Sequence, residues 1–104
     1  MPIQVAIVED DDEVRASLSH RVGGSTAFRM VRSWGSAESA MTELPRLKLD
    51  VVLMDINLPG MDGVECVRRL KPKMPDTQFL MLKVYEDNNR LFKSLVAGAS
   101  GYLL

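Results

Sequence analysis

Short, nearly continuous apolar runs alternate with amphipathic stretches from one end of the chain to the other, and this alternation narrows the fold more than any other feature. Ile3-Gln4-Val5-Ala6-Ile7-Val8, Val51-Val52-Leu53-Met54 and Phe79-Leu80-Met81-Leu82 are too short for core helices. They lack the apolar–polar alternation of a half-exposed strand, so they read as strands buried on both faces. Phe28 to Trp34 reads as a further strand, and Gly101-Tyr102-Leu103-Leu104 as the start of a fifth. Between them, Val14, Leu18 and Val22 recur at helical spacing up to Gly23-Gly24. Ser36 can cap a helix carrying Ala37, Ala40, Met41 and Leu44, which Pro45 ends. Val64, Val67 and Leu70 form another stripe, stopped by Lys71-Pro72-Lys73-Met74-Pro75. Asp87 or Asn88 can cap a last helix bearing Leu91, Phe92, Leu95 and Val96, closed by Gly98. Strand–helix alternation with double-buried strands predicts an α/β fold, a doubly wound parallel sheet covered on both faces.

With 104 residues the chain holds one domain, spanning 1–104. Such a sheet calls for a helix after its fifth strand, and the sequence stops at Leu104. The expectation is a domain without its final helix, or one whose open face a second copy of the chain covers. Self-association is therefore expected.

A net charge of −1 gives no basis for nucleic-acid or anionic-membrane binding by this segment. No apolar run approaches the ~20 residues that span a bilayer, and the N-terminus lacks the pattern of a secretory leader. The lone cysteine, Cys66, cannot form an internal disulfide, which fits a cytoplasmic setting. Cys66 falls in the third helical stripe and reads as a small core residue, and His20, the sole histidine, reads as a surface residue. Arg68, Arg69, Lys71 and Lys73 read as a solvated helix face.

The chemistry is concentrated where the apolar runs stop. The first is followed by Glu9-Asp10-Asp11-Asp12 and the third by Asp55. In an open parallel sheet, ligands bind outside the carboxyl ends of the strands. If the two strands are neighbours, Glu9, Asp10 and Asp55 converge. Packed carboxylates repel unless one takes a proton or a hard cation joins them. Mg²⁺ suits a few carboxylates together with water and phosphate oxygens. A carboxylate beside such an ion can accept a phosphoryl group covalently.

Asp55-Ile56-Asn57-Leu58-Pro59-Gly60-Met61-Asp62-Gly63 closely resembles the phosphoacceptor loop of response-regulator receiver domains from two-component systems. Val8-Glu9-Asp10-Asp11 resembles the acidic pair of that family, and Ala97-Gly98-Ala99-Ser100-Gly101-Tyr102-Leu103-Leu104 its last-strand signature. The resemblance covers the whole chain. It implies a flavodoxin-like sheet of five parallel strands in the order 2-1-3-4-5. It implies that Asp55 takes a phosphoryl group from a phosphohistidine on a sensor histidine kinase. Asp10, Asp55 and the backbone carbonyl of Asn57 would ligate Mg²⁺, with Glu9 acting through a water. Pro59 and Gly60 would shape the loop, Gly63 would start the next helix, and Tyr102 would be a switch aromatic. The ending is most similar to receivers joined to a helix-turn-helix output domain. This implies transcriptional regulation through a DNA-binding domain that the 104 residues do not include.

The sequence departs from the family pattern at Lys83, where the fourth strand of a receiver normally ends in Ser or Thr. Lysine is a long, strongly hydrated point charge rather than a compact hydroxyl donor. It either reaches Asp55 or a phosphoryl oxygen, in place of a family lysine expected just after Leu104, or points to solvent. Two further function classes follow from the residues. One is a phosphorylation-independent dimerisation or interaction module that keeps the acidic pocket. The other is an aspartate-nucleophile phosphatase, against which Asn57 stands, because those enzymes place a general acid two residues after the nucleophile.

Overall fold

The computed structural model describes residues 1–82, 93 and 95–103, with the backbone alone for 102 and 103. The strands are β1 (Ile3–Val8), β2 (Phe28–Trp34), β3 (Val51–Asp55), β4 (Gln78–Leu82) and β5 (Gly101–Leu103). The helices among the described elements are α1 (Asp12–Gly23), α2 (Ala37–Glu43) and α3 (Gly63–Leu70). Single 3₁₀ turns at Leu44–Arg46 and Lys71–Lys73 close α2 and α3, each with a proline in its first turn. Residues 95–97 are helical and lead into Gly98 at φ +121°, a value that favours glycine.

Each helix starts on a side chain suited to that place. The Asp11 carboxylate accepts from the amides of Glu13 and Val14. The Ser36 hydroxyl accepts from Ser39 N–H, and the Asp62 carboxylate from Glu65 N–H. These caps satisfy amide groups that have no partner within the helix.

All strands run parallel, in the order β2-β1-β3-β4, and the three-residue β5 lies beside β4. The expected parallel α/β sheet is present. The alternation of side chains along each strand divides the apolar residues between two layers. Ala6, Val8, Val52, Met54, Phe79 and Met81 point toward α2 and α3, where Ala37, Ala40, Leu44, Val67 and Leu70 complete the main core. Cys66 is fully buried in that layer, with its Sγ 3.7 Å from Met41 Sδ. Met54 and Met81 are core residues, as expected, and His20 is exposed.

The opposite layer is thinner. Val5, Ile7 and Leu53 are buried beneath Leu18 and Val22 of α1, while Val51, Leu80 and Leu82 are only half-buried there. No residue of α1 is fully buried, and Val14, expected to belong to the same stripe, is 42% exposed. Leu95 and Val96, expected on the last helix, are exposed as well. The other apolar residues expected on that helix, Leu91 and Phe92, and both cap candidates lie outside the described residues.

Among the described residues, no helix is long and apolar enough to cross a membrane.

Candidate functional site

The chain leaves β1 toward β2 on one side, while β3 lies against β1 on the other, so the order of strands reverses between β1 and β3. A crevice opens at such a point, outside the carboxyl ends of the strands. Register decides what lines it. Val8 pairs with Met54, so Glu9 and Asp55 follow from paired positions.

Glu9, Asp10 and Asp55 each offer a carboxylate oxygen, and these atoms all lie within 4.8 Å of one another. Asp10 is exposed, whereas Glu9 and Asp55 are only 8% and 7% exposed. Three negative charges at this spacing, two of them shielded from water, are strongly unfavourable together. Such crowding favours the protonated form of one of them. Burial pushes the Glu9 carboxyl up from its ordinary 4.5 to about 7, helped by the Asp55 charge and by hydrogen bonds to the carboxyls of Asp55 and Asp10. The Asp11 amide, which donates to Glu9 Oε2 at 3.0 Å, pulls the other way.

The loops around the cluster are held locally. Glu9 N–H donates to Trp34 carbonyl, fixing the end of β1 against β2. Arg15 in α1 donates to the Glu9 carbonyl at 2.8 Å and to Asp12 at 2.6 Å, clamping the turn that carries Glu9 and Asp10. Asn57 N–H donates to Asp55 Oδ1 at 3.0 Å, and Gly63 N–H returns to the Ile56 carbonyl at 3.2 Å. Ile56 and Leu58 are buried and anchor the loop after β3, while Asn57 is exposed. Gly60 turns at φ +74°, the left-handed region expected of a shaping glycine.

The sequence-predicted residues therefore divide into three groups. Glu9, Asp10 and Asp55 come together, and Asn57 joins them through its amide. Tyr102 lies in β5, its backbone paired with Met81 of β4, and its side chain lies outside the described residues. Lys83 lies outside the described residues altogether. Sequence reasoning missed Arg15 and Glu38. Arg15 left a weak trace, an acid–base pair at i,i+3 with Asp12. Glu38 bonds a loop 23 positions away and left none.

The chain matches the response regulator receiver domain family over residues 5–104. It belongs to that family. It is 33% identical over 102 residues to the DNA-binding transcriptional activator DevR/DosR of Mycobacterium tuberculosis, covering 98% of this chain and 47% of that protein. It is 32% identical over 104 residues to the response regulator protein VraR of Staphylococcus saprophyticus, covering all of this chain and 50% of that protein. The chain thus spans about half the length of these curated relatives. The signal receiver domain of NarL from Mycobacterium tuberculosis shares the fold at a TM-score of 0.91 and 22% identity, over 99% of this chain and 83% of that one. The BeF3-activated DrrB receiver domain superposes at 0.85 with 25% identity, over 99% and 84%. This receiver domain is thus of the two-component response-regulator type, a class of signal transducers, and has transcription regulators among its relatives.

The donor set of the acidic pocket suits a hard cation. Three carboxylates on two neighbouring strand ends, open to solvent on the Asp10 side, leave room for water and phosphate oxygens in the remaining positions.

Proposed function

We propose that this receiver accepts a phosphoryl group on Asp55 from a phosphohistidine of a sensor histidine kinase. The observation that carries the reading is the convergence of Glu9, Asp10 and Asp55 at the strand reversal. An Asp55 carboxylate oxygen forms a bond to phosphorus as the bond to the histidine nitrogen breaks, leaving an aspartyl phosphate. Asn57 N–H fixes the carboxylate in place through Oδ1. Arg15 keeps the turn after β1 in register, so that Asp10 faces Asp55.

Asp10, Asp55 and the Asn57 carbonyl would hold Mg²⁺, with Glu9 binding through a water. The ion supplies charge neutralisation for the transferring phosphoryl group. A cation held here would favour the ionised form of Glu9 over the protonated one.

The same chemistry permits self-phosphorylation from a small acyl phosphate and slow loss of the group to water. A relative named as a DNA-binding transcriptional activator, of which the chain spans about half, supports a regulatory output through a DNA-binding domain outside these 104 residues. A cytoplasmic location and self-association of the chain belong to this reading. The half-buried Val51, Leu80 and Leu82 beneath the thin α1 layer support self-association.

Incubation with Mg²⁺ and acetyl phosphate, followed by intact mass, tests the reading. Wild type gains one phosphoryl group, whereas Asp55→Asn gains none. Equal gain by both places the chemistry elsewhere. A second reading rests on Lys83, which replaces the family's Ser or Thr and removes the short hydroxyl donor. On this reading the pocket binds Mg²⁺ but the domain acts as a phosphorylation-independent interaction module. Mg²⁺ binding with no mass gain and constitutive dimerisation would favour it.

A further inference from the structure

The loop between Asp55 and α3 is well fixed at its root and sparsely fixed at its tip. Its root is pinned by buried Ile56 and Leu58, by Asn57 N–H on Asp55, and by Gly63 N–H on the Ile56 carbonyl. Pro59 and Gly60 at the tip are exposed. There Glu38, from the first turn of α2, crosses to the loop, and its Oε2 accepts the Met61 N–H at 2.8 Å. The approach to Gly60 is close. A Cβ at that position would lie 3.3 Å from Glu38 Cδ and closer still to Oε2, so a larger residue would require the carboxylate to shift. The Met61 amide in turn stabilises the charge and holds the Glu38 carboxyl below its ordinary range.

We propose that Glu38 is a positioning residue for the acidic centre, holding the 56–62 loop against α2 so that Asn57 stays set against Asp55. The inference rests on the functional reading above, in which Asn57 contributes to the cation site. Glu38 acts through the loop and does not touch the reacting atoms. A charge-assisted hydrogen bond to a backbone amide is roughly twice as strong as a neutral one, which explains the use of a carboxylate here. Ser36 supplies the α2 cap separately, so the role of Glu38 in the loop is distinct from starting its own helix.

The test compares wild type, Glu38→Ala and Glu38→Gln in the full chain. It follows Met61 amide exchange and Mg²⁺ titration by NMR, together with the thermal midpoint. Glu38→Ala is expected to speed Met61 exchange and to weaken Mg²⁺ binding about three- to tenfold, the size of one net hydrogen bond. Its thermal midpoint should fall by no more than the few degrees, roughly, that one net hydrogen bond is worth in a domain of this size, because Glu38 is exposed. Glu38→Gln keeps an acceptor oxygen and should fall between the two. Unchanged Met61 exchange overturns the tether. Faster exchange with unchanged Mg²⁺ affinity overturns the positioning role alone. A midpoint lowered well beyond those few degrees, with no recovery in Glu38→Gln, also overturns it, in favour of general structural support. Wild type that binds no Mg²⁺ overturns the functional reading and this inference with it.

Discussion

Gly63 sits directly against the backbone carbonyl of Asp55: a Cβ at position 63 would lie 2.9 Å from the Asp55 carbonyl carbon and nearer still to its oxygen. The first residue of α3 and the last of β3 thus touch backbone to backbone, and the loop between them closes on that contact. Glycine is needed here for space, since its φ is not in the left-handed region.

Gly63→Ala is therefore expected to displace either Asp55 or the start of α3. The loss should be at least about 2 kcal/mol of stability in chemical denaturation, within the range for overpacked sites. Mg²⁺ binding should weaken in the same variant. A variant with wild-type stability would show that the loop relaxes more freely than this contact implies.

Acidity of the pocket should be visible in stability. The Glu9 carboxyl is raised to about 7 in the folded protein by burial first and by the neighbouring carboxyls second. A raised value means that stability is fully present below the unfolded value and is lost as pH rises through the folded one. In metal-free buffer the melting temperature should fall between about pH 5 and 8. Glu9→Gln should flatten that fall, and Mg²⁺ should oppose it at the alkaline end. Equal slopes for wild type and Glu9→Gln would refute the assignment.

The two sides of the sheet should differ in mutational cost. Phe79 is fully buried in the main core, so Phe79→Ala is expected to cost about 3–5 kcal/mol. Leu80, its neighbour on the α1 side, is half-buried, and Leu80→Ala should cost clearly less. Denaturant titration of both variants checks the order. A reversed order would mean that the thin layer is covered in solution.

That same layer carries the expectation of self-association. Light scattering over a concentration series should show growth of a dimer, and Leu82→Glu should reduce it. A monomer at all concentrations would contradict it.

Much of this was legible in the sequence because burial on both faces leaves little freedom in residue choice. Val51 to Met54 could hardly be anything but an inner strand, and placing Asp55 at its end followed at once. Phe28 to Trp34 was bounded correctly even though Arg29 and Arg32 interrupt it, since it is the edge strand and tolerates charge. The α1 stripe was only half right. Spacing identifies a face, but it does not say how far the sheet extends beneath it, and Val14, at the same spacing as Leu18 and Val22, lies beyond its cover. Glu38 was illegible for a different reason, and Arg15 nearly so. Glu38 bonds the Met61 amide and Arg15 the Glu9 carbonyl, and backbone groups leave no residue-specific mark in a sequence. Lys83 is plain in the sequence, but its placement lies outside the described residues.

The central claim is that Asp55 becomes an aspartyl phosphate, and reductive trapping tests it most directly. After incubation with Mg²⁺ and acetyl phosphate, borohydride reduces an acyl phosphate to the alcohol, and peptide mass spectrometry locates the change. The account predicts homoserine in place of Asp55, dependent on Mg²⁺ and lost in Asp10→Asn. An unmodified Asp55 with trapping at Asp10, Asp11 or any other acid would contradict it.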